Sequence, residues 1–251
     1  LEYVGVEHNA FMEVFTQKLE ESYRNRLWDR ASFLSGDYKL AFARVMNDAY
    51  RARYTQTNST VDYQLDIYNQ VNLDEWFDND ATTSVDLARN VLNQRATNRD
   101  RQYTLNLLND IFIAAATATS DADAFQALRA VIRQHESLIL SQNWGANEDY
   151  ALGALAVAKY STIFWENYDF SVFNSNDASE NDISPRSGLI VGADTAGYVV
   201  GGVVGGTGGS FAGPAGTVGG VLGGKATGAW VGSGAAATAV SIYDAFVDFF
   251  D

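Results

Sequence analysis

The sequence predicts an all-α protein: an N-terminal helical bundle with a C-terminal glycine-rich helical hairpin packed into or against it. Three observations predict this. Pro185 and Pro214 are the only prolines in 251 residues, which suits long unbroken helices. Apolar residues recur at three- and four-residue spacing through much of the N-terminal part, the period of a helix with one buried face. Finally, 18 of the 22 glycines fall between Gly188 and Gly234, many of them four residues apart, a spacing that stacks positions along one helix face.

The elements follow in order. Glu7 to Arg30 is expected to be a helix, with Phe11, Val14, Phe15, Leu19 and Tyr23 on one stripe. Asp37 to Tyr54 is a second, carrying Leu40, Ala41, Val45 and Ala49 after the Ser35-Gly36 punctuation. Thr60 to Val71 is a third, and 73–83 (LDEWFDNDATT) is a connector. Ser84 is placed to cap Val85 to Arg95, and a further helix runs from Asp100 to Thr119 with Leu105, Leu108 and Phe112 inward. Ser120, followed by Asp121 and Asp123, combines a capping hydroxyl with acids where the helix dipole favours them. The helix it opens has Phe125, Leu128, Ile132, His135 and Ile139 on one stripe. Asn147, Glu148 and Asp149 are expected to open the next helix, which runs to about Tyr168 and is apolar on most sides, hence central. Residues 170–187 are polar and turn-rich and read as a linker between a bundle at 1–169 and a hairpin unit at 188–251.

The hairpin rests on two glycine series. Gly197, Gly201, Gly205 and Gly209 form the first; Gly216, Gly220, Gly224, Gly228 and Gly232 form the second, after Pro214. These nine are the candidate helix-packing residues. Each helical glycine costs about 0.8–1.0 kcal/mol relative to alanine, and 18 of them about 15 kcal/mol, as much as a whole domain's stability. Such helices form only where close backbone approach offsets that cost. Tyr198, Val199, Val200, Val203 and Val204 lie off the glycine face and are apolar, so the first arm is nonpolar all round and belongs inside protein or lipid. A membrane-inserted hairpin is the alternative, and irregular glycine loops or strands a third reading. Acidic flanks (Glu180, Asp182, Asp244, Asp248, Asp251) and Lys225 inside the second arm weigh against lipid. So does the C-terminal helix, which sets Ile242, Phe246, Phe249 and Phe250 against Asp244, Asp248 and Asp251.

Composition narrows the function. A net charge of −14 disfavours nucleic acid, which needs a basic face. The absence of cysteine removes disulfides, thiolate metal sites and cysteine nucleophiles. The chain opens at Leu1, so a processed or trimmed N-terminus is expected. Residues 219–225 (GGVLGGK) match a phosphate-binding loop but are followed by Ala226 where the magnesium-binding hydroxyl belongs; chance within a glycine run explains them. His8 is read as a capping or packing residue near a helix start, and His135 as a satisfied boundary histidine. The acidic groups Asp74, Glu75, Asp78, Asp80 and Asp177, Glu180, Asp182 lack the spacing of a calcium loop and read as solvated surface. Trp76, Trp144 and Trp165 are core residues before they are a sugar platform. No catalytic residue, cofactor site or metal site is assigned.

Two stretches carry a resemblance. The opening Tyr3-Val4-Gly5-x-x-His8-Asn9 and the helix from Ala151 to Ser161, together with the glycine-rich end, resemble a group of uncharacterised, predicted exported bacterial proteins, mostly from Bacteroidetes. The glycine end is also similar to glycine-zipper segments of some membrane-associated proteins and bacteriocins. The resemblance implies a secreted or cell-envelope location and brings no activity and no site residue with it. The expectation is a non-catalytic exported or envelope-associated protein with a structural or interaction role and an unknown protein partner; the alternative is a membrane-inserting or pore-forming protein using the hairpin.

Overall fold

The computed structural model describes residues 2–25, 45, 48–49, 52–53, 81–145, 148–169 and 187–209, with side chains of the last helix through Val199. These residues are all-α. Six helices are present among them: α1 (Glu2–Arg24), α2 (Ala81–Arg95), α3 (Asn98–Thr117), α4 (Asp121–Leu140), α5 (Tyr150–Asn167) and α6 (Ser187–Gly209). The expected helices at 37–54 and 60–71, the linker, the turn at Pro214 and the second glycine arm lie largely or wholly outside the described residues.

Helix α1 starts five residues earlier than its first expected position, because Val4 and His8 extend the buried stripe of Phe11, Phe15 and Leu19 by two turns. Val45 and Ala49 belong to the same core, and Arg53 reaches Glu7 of α1 at 2.9 Å. Helix α2 begins at Ala81, so Ser84 sits inside its first turn and does not cap it. No glycine or proline separates 81 from Val85, so nothing stops the extra turn. Helix α3 starts at Asn98 because Thr97 takes the cap, its hydroxyl accepting from Asp100 N at 3.2 Å. Helix α4 opens as expected: Ser120 accepts from Asp123 N, and Phe125, Leu128, Ile132, His135 and Ile139 are all buried.

Helices α5 and α6 are the two central elements. Helix α5 packs against α1, α3, α4 and α6, and α6 packs against α2, α3, α4 and α5. Their composition explains the position. From Ala151 to Ala158 every residue of α5 except Leu152 is buried, and from Gly188 to Val199 every residue of α6 except Leu189 is buried. Val199 is fully enclosed. The two rods come close because Gly153 of α5 has no side chain: a Cβ there would lie 2.5 Å from Tyr198 Cε1 of α6 and nearer still to its Cζ and hydroxyl. On another side of α6, Gly188 faces Ala115 and Ala124, and Gly192 faces the Phe112 ring.

Of the nine candidate packing glycines, Gly197 is buried in α6, and Gly201, Gly205 and Gly209 lie within its helical backbone. Gly216, Gly220, Gly224, Gly228 and Gly232 lie outside the described residues. No helix among the described residues is long and apolar enough to cross a membrane.

Candidate functional site

One charged residue interrupts an otherwise uncharged stretch: Asp194 stands alone between Arg186 and Lys225. It sits in the middle of α6 and is buried. An isolated carboxylate in that position would be prohibitively costly, so its partners define the site. Ser161 donates its hydroxyl to Asp194 Oδ2 at 2.6 Å, and the Trp165 indole Nε1 donates to the same oxygen at 2.9 Å. Both come from the inward face of α5, one turn apart, as i and i+4 positions must be. From α1, His8 Nε2 lies 3.3 Å from Asp194 Oδ2. The other ring nitrogen, Nδ1, is 3.0 Å from Asn9 Oδ1, and Asn9 Nδ2 donates to the Tyr160 carbonyl at 2.9 Å. Three helices meet on one carboxylate.

Close backbone contact supports the geometry. Gly5 lets α1 approach α5, since a Cβ there would come within 2.7 Å of the Ala156 carbonyl oxygen and press on the Tyr160 ring. Thus Gly5, His8 and Asn9 of the opening motif touch Tyr160 and Ser161 at the end of the second familiar stretch, directly or through Asp194. Trp165 is further held edge-on by Phe164 and Tyr168, with ring centroids 5.0 and 5.4 Å away.

Serine, histidine and aspartate in contact invite comparison with a hydrolase relay, and the order is wrong for one. A relay passes the serine proton to histidine, with the carboxylate behind the ring. Here the carboxylate lies between them and accepts the serine hydroxyl's hydrogen bond. All three groups are buried. The arrangement joins three helices through one carboxylate.

A second buried carboxylate performs a related task. Asp100 of α3 accepts from Tyr150 N at 3.1 Å and Ala151 N at 2.7 Å, which caps α5 from outside its own sequence. Asp149, the expected opener of α5, makes no side-chain cap bond. Burial raises the Asp100 carboxyl above its usual range, while the two backbone N–H groups pull it down. Glu148, also expected to open α5, turns away to Arg99, Thr97 and the Gly145 N–H, and these hold its carboxyl down at about 2. Arg99 also stacks over Trp144, 5.1 Å from the ring centroid. At the same end of α5, burial pushes the Tyr150 phenol up to about 12 and the Tyr198 phenol well above its ordinary value.

His135 is buried, with Nε2 2.8 Å from Asp110 Oδ2 and Nδ1 without a hydrogen-bond partner among the described residues. His8 is not near a helix start, as expected from sequence, but two turns into α1 and central to the site. Trp165 is core, as expected, and Trp144 is half-buried. The sequence reading passed over Asp194, Ser161 and Asp100. A lone charge in a long uncharged stretch was the available signal for Asp194; Ser161 and Asp100 offered none. Among the described residues no three histidine, aspartate or glutamate side chains converge as metal ligands. The phosphate-loop match, both acidic groups and Trp76 lie outside the described residues. Compared with known proteins, the chain matches no family model, no curated protein and no solved structure.

Proposed function

We propose that this chain is a non-catalytic helical protein with a structural or interaction role, whose body is a mount for the glycine-rich arm. One observation carries the reading. The only charge on the described arm, Asp194, accepts hydrogen bonds from Ser161 and Trp165 of α5 and lies against His8 of α1, contacts that fix the depth and rotation of α6 in the body. A buried carboxylate with its polar partners is a weak source of stability but a source of register, because a misplaced arm leaves the carboxylate without its hydrogen bonds. The exported or envelope location rests on the resemblance of the opening motif.

A fluorophosphonate probe, which labels activated serines, tests the non-catalytic part. We expect no labelling of Ser161 in the native full chain. Stoichiometric labelling of Ser161 that disappears in His8→Gln would overturn the reading.

The alternative, insertion of the hairpin into a bilayer, is favoured by the uncharged run from Thr195 to Gly224 and by the small-xxx-small spacing of Gly197, Gly201, Gly205 and Gly209 on one helix. Against it stand the enclosure of Val199 and the buried partners of Asp194. Co-flotation of the full chain with anionic and zwitterionic vesicles decides between the two. Binding that exposes α6 to hydrogen exchange would favour insertion.

A further inference from the structure

We infer that His135 of α4 and Thr162 of α5 form a buried hydration site, occupied by one long-lived water molecule that joins the two helices inside the core. The site shares no residue with the Asp194 cluster and stands or falls independently of the role proposed for that cluster.

The observation that carries this is a single atom. His135 is only 3% exposed, and its Nδ1 is the one buried side-chain nitrogen or oxygen among the described residues that has no hydrogen-bond partner. Buried polar atoms in native proteins are hydrogen-bonded as a rule, so an orphan points to a partner outside the polypeptide. The other ring nitrogen fixes what that partner must do. Nε2 is 2.8 Å from Oδ2 of Asp110, a half-exposed carboxylate of α3. A bare lone pair on Nε2 would face that oxygen with repulsion, so Nε2 carries a hydrogen and donates it. Nδ1 of a neutral ring is then an acceptor and requires a donor. The flanking inward residues of α4, Leu128, Ile132 and Ile139, are buried and apolar and offer none. Water both donates and accepts, so it satisfies Nδ1 whatever the charge of the ring.

A buried water needs a second polar contact, and the register of α4 on α5 supplies it. Lys159 of α5 is held by Glu136 of α4 at 2.8 Å, and Glu166 of α5 is held by Arg129 of α4. Thr162 stands three residues after Lys159 and four before Glu166, so it lies on the same face of α5. That places it level with the part of α4 between Arg129 and Glu136, where His135 sits. Thr162 is buried. Its hydroxyl donates to the Ala158 carbonyl at 2.7 Å, and its oxygen keeps lone pairs that can accept from water. One water thus donates one hydrogen to His135 Nδ1 and the other to Thr162 Oγ1. A carboxylate behind one imidazole nitrogen is also how metal-bound histidines are oriented. Among the described residues no three histidine, aspartate or glutamate side chains converge as ligands, which favours the neutral occupant.

The test is NMR of the native full chain in water. The sequence holds only two histidines, and the His135 ring is assigned by through-bond transfer to its own backbone. Cross-peaks are expected from water to the His135 Hε1 and Hβ protons, which flank Nδ1. Their NOE and ROE should have opposite signs, the mark of a water that stays longer than the protein takes to tumble. Oxygen-17 relaxation dispersion then counts long-lived waters. His135→Phe, which keeps a ring and removes the nitrogen, should hold one fewer than wild type, and so should Thr162→Val. Absence of the cross-peaks in the native chain overturns the inference, as does an unchanged count in folded His135→Phe. An unchanged count in folded Thr162→Val overturns the assignment of the second partner. The cross-peaks need no substitution, so a variant that fails to fold leaves the inference open to refutation.

Discussion

Gly153→Ala separates two accounts of the central helices by the sign of its effect. If α5 were merely a helix with a tolerated glycine, alanine would stabilise it by about 0.8–1.0 kcal/mol. The structure demands the opposite. The new methyl would lie 2.5 Å from Tyr198 Cε1, and closer to Cζ and the hydroxyl, where carbon atoms normally rest about 3.5–4.0 Å apart. Tyr198 cannot swing aside cheaply, because it is 4% exposed and packed between α5 and the rest of the core. Overpacking of a filled core costs typically about 1–3 kcal/mol and occasionally more. Taking about 3 kcal/mol for so deep an overlap and subtracting the helix gain leaves a net loss of about 2 kcal/mol. At about 2–4 °C per kcal/mol for a chain of this size, the melting temperature should drop by about 4–8 °C. Calorimetry and urea denaturation measure this directly. Tyr198→Leu in the same background should recover part of the loss, with a favourable coupling of at least about 1 kcal/mol between the two sites. An unchanged or raised melting temperature in Gly153→Ala would refute the close α5–α6 contact on which the whole arrangement rests.

Three further outcomes are expected. Asp100→Ala removes the acceptor for Tyr150 N and Ala151 N and should destabilise by about 2–4 kcal/mol, two buried donors at about 1–3 kcal/mol each less what water recovers; hydrogen exchange at these two amides should accelerate before that of the α4 core. Glu148, ordinarily near 4.5, is held at about 2, first by its bond to Arg99. Its contribution is therefore present above about pH 4.5 and is lost as pH falls toward 2, so the gap in urea midpoint between wild type and Glu148→Gln should be open at neutral pH and close across that acid window. Leu92→Ala, at a fully buried position of α2, should cost about 2–5 kcal/mol by leaving a cavity, measured by the same denaturation.

What sequence could reveal depended on how local the cause was. The start of α4 was legible because Ser120 and Asp123 are three residues apart and the stripe from Phe125 to Ile139 repeats at the helical period. The centrality of α5 followed from its composition. The start of α5 was legible in position, since Asp149 holds the N-cap site, but not in chemistry: Asp149 makes no side-chain cap bond, and the acceptor for the first turn is Asp100, on a different helix. The polar cluster was illegible for the same cause. His8, Ser161 and Asp194 acquire meaning only when α1, α5 and α6 are brought together, and no periodicity encodes that meeting. The glycine period announced a helix correctly through Gly209 but did not reveal that Gly188 and Gly192 would face α3 and α4.

The borrowed cap of α5 has a consequence for how the protein is assembled. Because the acceptor for the first turn of α5 resides on α3, that turn has no resting place until the two segments dock. A peptide spanning 148–169 should fray at its beginning even though its interior favours helix. The central rod thus depends on a neighbour for its own initiation, which ties local ordering to global cooperativity: α3 and α5 should open together, as one unit, when native-state exchange is followed at low denaturant.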